Sequence, residues 1–98
     1  MTSKEFKRLF NNKIVLMDGG MGTLLQRYGM PGGVCPEKWA SENPDILRKA
    51  HSGYVEAGSD IIYTFTFGAN PIKLGDFGLS GETYEINKRL AVIARETA

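Results

Sequence analysis

Ile14-Val15-Leu16-Met17-Asp18-Gly19-Gly20 is the stretch on which the reading of this chain turns. Four consecutive apolar residues run into a carboxylate and a glycine pair. A short, unbroken apolar run bounded by glycine reads as a strand buried on both faces, the habit of parallel sheets. Working outward, Ile61-Ile62-Tyr63-Thr64-Phe65-Thr66-Phe67 reads as a second strand, rich in β-branched and aromatic residues. Between them, Asn43 reads as a helix cap with Pro44 at the first helical position. Ile46, Leu47, Ala50, Tyr54 and Ala57 then recur at helical spacing, and Gly58 suits a left-handed C-terminus. Ile86, Leu90, Ile93 and Ala94 form the stripe of a last helix starting near Thr83. Lys4 to Asn11 reads as a short helical lead-in, and Leu24 to Tyr28 as one helical turn inside a glycine-rich loop. The predicted order is strand 13–18, helix 44–57, strand 60–67, helix 83–97, an α/β chain with a long loop after each strand.

Composition narrows the classes. Twelve Lys and Arg against eleven Asp and Glu leave a net charge of +1, which excludes nucleic-acid binding by bulk charge. A hydrophobic share of 42 % at so low a net charge argues against disorder. No run reaches the roughly 18 apolar residues of a membrane span, and Met1 to Phe10 lacks a signal-peptide core. Cys35 is the single cysteine and His51 the single histidine. One thiol makes no internal disulfide, which fits a reducing cytoplasm. One thiol and one imidazole do not make a zinc site of three or four ligands. The 98 residues suit one small domain, against roughly 250 for a (β/α)8 barrel.

In α/β chains, ligands bind at the C-terminal ends of strands. Asp18 falls there, sharing a strand face with Ile14 and Leu16. A carboxylate at that point can accept hydrogen bonds from an ammonium group or can simply form a turn. Gly19, Gly20, Gly22 and Thr23 follow, and successive backbone N–H groups in such a segment can cradle an anion. The spacing is neither a dinucleotide fingerprint nor a P-loop. Thr64 and Thr66 alternate with Tyr63, Phe65 and Phe67, so one face carries hydroxyls and the other aromatic rings. Thr66, nearer the strand end, is the stronger ligand candidate, and Asn70 either lines the same site or turns the chain before Pro71. Cys35 in its Gly/Pro loop has no neighbouring base and reads as a packing residue. His51 reads as a residue of helix packing, Trp39 as an apolar anchor, and Glu37 and Glu42 as solvated or helix-start charges.

Leu16-Met17-Asp18-Gly19-Gly20-Met21-Gly22-Thr23-Leu24-Leu25 resembles the opening of the homocysteine S-methyltransferase family. Asn43-Pro44-Asp45 followed by Ala57-Gly58-Ser59-Asp60-Ile61 to Phe67 resembles the same family, nearest its cobalamin-dependent branch. The resemblance runs from about Lys13 to the end. It implies the first two βα units of a (β/α)8 TIM-type barrel, incomplete on its own, with residues 1–98 as the N-terminal part of a homocysteine-binding domain. It implies methyl transfer to the thiol of homocysteine, forming methionine. Asp18, Gly19, Gly20, Gly22, Thr23, Thr64, Thr66 and Asn70 are then the substrate-binding candidates. Zinc held by three cysteines is expected of the family. Cys35 matches none of those positions, so no metal ligand is assigned in this chain. Gly68 and Val34 stand where a betaine-using relative would carry aromatic residues, which leaves a corrinoid or folate-linked donor, with cobalamin on a separate domain or protein.

As partners, the same reading expects homocysteine and a corrinoid protein, with neither nucleic acid nor membrane. The open sheet edges call for self-association or for further segments to cover them. The alternative is a non-catalytic short protein serving self-assembly or binding an amino acid or anion.

Overall fold

A computed structural model describes residues 2–11 and 13–98. Among these, helix α1 spans Ser3–Leu9, α2 Gly22–Arg27, α3 Pro36–Glu42, α4 Pro44–Glu56, α5 Pro71–Gly75 and α6 Thr83–Thr97, with a single 3-10 turn at Ser80–Glu82. None of these helices is long and apolar enough to cross a membrane.

The core lies where the two longest helices meet. Leu47 of α4 and Ile86 and Leu90 of α6 are fully buried, and α6 packs on both α4 and α3. Leu25 of α2 and Leu74 of α5 close the same cluster from either side. Arg48 bonds Glu96 at 2.9–3.0 Å and so ties α4 to the end of α6. Lys38 pairs with Glu82 and ties α3 to its start. Helix α1 buries no residue. It is held by a capping box, in which Thr2 Oγ1 accepts the Glu5 N–H and the Glu5 carboxylate accepts the Thr2 N–H.

Three local details differ from the sequence reading. Residues 36–42, expected to continue a loop, form α3. Pro36 at its first position and Glu37 in its first turn both favour a helix start. Residues 71–75, also expected as loop, form α5, with Pro71 at its start. Asn43 stands before α4, but its side chain does not cap it. The amide donates instead to the Trp39 carbonyl at 2.8 Å, closing the end of α3.

The larger correction concerns the fold class. Among the described residues there is no sheet, so the expected α/β arrangement, with two βα units of a TIM-type barrel, is not what the chain builds. The two apolar runs meet in one isolated parallel bridge, Met17 with Ile61. Asp18 N–H donates to the Ile61 carbonyl at 3.0 Å and Ile61 N–H to the Leu16 carbonyl at 3.1 Å. The next rung on either side is intercepted. On one side, Tyr63 N–H donates to Asp18 Oδ2 at 3.1 Å rather than to a backbone carbonyl. On the other, Leu16 N–H donates to Asp60 Oδ2 at 3.0 Å, and Ser59 N–H turns back to the Tyr54 carbonyl at 3.0 Å. Phe65 then takes a left-handed backbone conformation, φ 62°, which ends any extended run.

A two-stranded parallel pair has little stability of its own, so side-chain acceptors at both ends suffice to stop it. The burial expected of these runs is absent as well. Ile14 is 84 % exposed and Phe67 98 %. Of the three aromatic residues expected to share a packed face, only Phe65 packs against the core, while Tyr63 and Phe67 are exposed.

Candidate functional site

The bridge leaves a cleft of about 560 Å³ where the two extended segments part. Asp18, Gly19 and Gly22 form one wall. Thr64 and Thr66 stand on the other, flanked by Tyr63, Phe65 and Phe67. The hydroxyls of Thr64 and Thr66 are 2.6 Å apart and hydrogen-bonded, so they present one joined polar spot between aromatic neighbours. The left-handed turn at Phe65 brings these alternate residues together.

Asp18 is half-buried. Its Oδ2 accepts the Tyr63 N–H, while its Oδ1 is enclosed and has no hydrogen-bond partner. The glycine turn after it is buttressed from α4. Tyr54 O–H donates to the Gly20 carbonyl at 2.6 Å, and its ring lies against Gly19, where a Cβ would come 3.2 Å from the hydroxyl oxygen. Gly22 opens α2, whose first amides receive no side-chain cap.

Gly20, Thr23 and Asn70 do not line the cleft. Gly20 is the carbonyl anchor for Tyr54. Thr23 lies beside it, its hydroxyl oxygen 3.7 Å from where a Gly20 Cβ would stand. Asn70 caps α5, its Oδ1 accepting the Lys73 N–H at 2.9 Å.

Two residues of α4 behind the glycine turn were not singled out from sequence. Tyr54 was placed only in the apolar stripe of its helix. His51 was read as a packing residue, and it is indeed fully buried, yet neither of its ring nitrogens has a hydrogen-bond partner. Burial lowers its pKa below the ordinary histidine value, and the Asp18 charge pulls in the opposite direction. The signal for both was their spacing of three, which puts them on one face of α4.

The comparison with known proteins follows the same residues. The homocysteine S-methyltransferase family matches residues 15–98, from the apolar run before Asp18 through α6. The chain belongs to this family. A methionine synthase of Mycobacterium leprae (strain TN) is 36 % identical over 94 residues, covering 88 % of this chain and 8 % of that protein. A methionine synthase of Mycobacterium tuberculosis (strain ATCC 25618 / H37Rv) is 33 % identical over 98 residues, covering 92 % of this chain and again 8 % of the relative. The chain therefore spans about one-twelfth of the length of these relatives.

The family's zinc calls for three or four nitrogen, sulfur or oxygen ligands. Among the described residues, no group of three or more His, Cys, Asp and Glu gathers to hold an ion. Cys35 is buried with only the Glu37 carboxylate beside it, Sγ to Oε1 3.7 Å, and His51 is sealed elsewhere. These residues do not fit a zinc centre, so no step is derived through one.

Proposed function

We propose that this chain is the portion of a homocysteine S-methyltransferase that grips the amino-acid end of homocysteine. The observation that carries the reading is Asp18, a carboxylate lining the cleft at the head of a buttressed glycine turn. A carboxylate oxygen accepts more than one hydrogen bond, so Asp18 can hold the substrate ammonium while keeping the Tyr63 N–H. The amides from Gly19 to Thr23 would receive the substrate carboxylate, with Gly20 and Thr23 contributing through the shape of the turn. Thr64 and Thr66 would face the aliphatic part and sulfur, and Asn70 would keep the neighbouring loop in place. In the reaction of the family, a carbon–sulfur bond forms as the donor's bond to the methyl group breaks and the thiol proton leaves. A corrinoid or folate-linked methyl donor, zinc activation of the thiol and a cobalamin-carrying partner would come from outside these residues. The setting proposed is the cytoplasm.

Calorimetric titration with L-homocysteine, with phosphate as control, tests this reading. The wild-type chain is expected to bind homocysteine, and Asp18→Asn to bind it about tenfold more weakly or worse, the loss of a charge-assisted hydrogen bond. Absence of binding by wild type, or equal binding by the variant, refutes it.

A second reading, a non-catalytic association module, has the exposed side chains of Ile14, Leu16, Met17, Tyr63 and Phe67 in its favour. Sedimentation separates the two: a chain that stays monomeric at high concentration removes the second.

A further inference from the structure

Asp18 Oδ1 and the two ring nitrogens of His51 are side-chain polar atoms enclosed without a hydrogen-bond partner. Enclosed polar atoms are normally satisfied, by protein or by an ordered internal water. Oδ1 is shut away from solvent while the carboxylate's other oxygen meets Tyr63, so whatever satisfies Oδ1 must come from the protein side of Asp18.

That side is α4. His51 and Tyr54 share one face of this helix, and Tyr54 already touches Gly19 and Gly20, the residues directly after Asp18. His51 lies one turn before Tyr54 on that face, buried on the protein side of the glycine turn. The Asp18 charge is also the one that acts on His51 against the effect of burial. A neutral imidazole has one N–H to donate and one nitrogen to accept, which matches a lone carboxylate oxygen plus a second partner.

We infer that His51 is a positioning residue for Asp18, its ring N–H bonding Oδ1 through one internal water. The bridge fixes the carboxylate rotamer, so that Oδ2 stays aimed at Tyr63 and the cleft. A bulky apolar side chain at position 51 would fill the helix face but leave Oδ1 unsatisfied. This positioning role rests on the binding reading of Asp18 given above, whereas the link between the two side chains does not.

The experiment uses the fact that His51 is the single histidine, so its ring nitrogens give one pair of signals in long-range 1H–15N spectra. Asp18→Asn is expected to redistribute the ring proton between the two nitrogens and change the separation of their resonances. In wild type, the ring N–H is expected to show a cross-peak to a long-lived water, a measurement that needs no variant. Homocysteine affinity should fall about tenfold in His51→Leu, recover in part in His51→Gln, and fall no further when His51→Leu is added to Asp18→Asn. Unchanged ring signals in a folded Asp18→Asn, or absence of the water cross-peak, overturns the link. Intact spectra with homocysteine binding indifferent to both residues overturns the binding reading and, with it, the positioning role.

Discussion

Replacing Gly19 by alanine would put a methyl carbon 3.2 Å from the Tyr54 hydroxyl oxygen and 3.4 Å from the ring carbon Cε1. The first distance is tighter than an ordinary contact, so the hydroxyl must give by a few tenths of an ångström. The hydroxyl cannot yield freely, because it is held 2.6 Å from the Gly20 carbonyl. Relief stretches that hydrogen bond, whose loss costs about 1 kcal/mol. Gly19 does not have a positive φ, so alanine there also restricts the unfolded chain and returns about 0.4–1 kcal/mol. Gly19→Ala alone should therefore be neutral or destabilising by about 0.5 kcal/mol, the balance of those two effects. Tyr54→Phe alone should cost about 1 kcal/mol. Without the hydroxyl, the remaining contacts are ring carbons at 3.4 and 3.6 Å, which an alanine tolerates. In that background Gly19→Ala should become stabilising by about 0.5 kcal/mol. The sign changes, and the double-mutant cycle should show a coupling of about 1 kcal/mol. Urea unfolding followed by circular dichroism measures all four corners. If the two single effects sum to the double within about 0.3 kcal/mol, the buttress argument is wrong.

Asp60 carries a lowered pKa, first because Leu16 N–H bonds it and then because Lys13 does. Its contribution is therefore present above the ordinary aspartate value and is lost as pH falls through the depressed one. Thermal melts against pH should show this acid limb in wild type, and a shallower one in Asp60→Asn. Leu47→Ala, which empties a fully buried position between α4 and α6, should cost about 2–5 kcal/mol, a large part of the stability of so small a domain, with chemical denaturation as the measure. Excess chelator should leave the melting temperature unchanged, because no metal-binding group gathers among the described residues. A clear drop on chelation would contradict that arrangement.

How much of this was legible in sequence depends on the scale of the cause. The stripe of Ile86, Leu90, Ile93 and Ala94 is the face that the core uses, because apolar spacing and helix geometry have the same period. Helix α3 was hidden because seven residues make too few turns for a period to register. The strands misled for a different reason. Ile14 to Met17 and Ile61 to Phe67 have the composition of a sheet, but pairing was decided by where two carboxylates point. Asp18 and Asp60 were visible as residues, and their bonds to Tyr63 and Leu16 were not. At the site, Asp18 and the threonines could be named because chemistry and local pattern mark them. Tyr54 reaches it only through the docking of α4 against a segment more than 30 residues away, and His51 lies on the same face of that helix.

The two carboxylates also bear on how the chain behaves in a crowd. Ile14, Leu16, Met17, Tyr63 and Phe67 are solvent-exposed, in segments close to the composition of an aggregating strand. Such segments recruit other chains by offering a row of free N–H groups. Here Leu16 and Tyr63 donate to aspartate oxygens and Ser59 to a helix end, so three such groups, one on the first segment and two on the second, are already occupied within the same molecule. Asp18 and Asp60 thus occupy N–H groups that an added strand would otherwise bond, a second use for the aspartate at the head of the cleft.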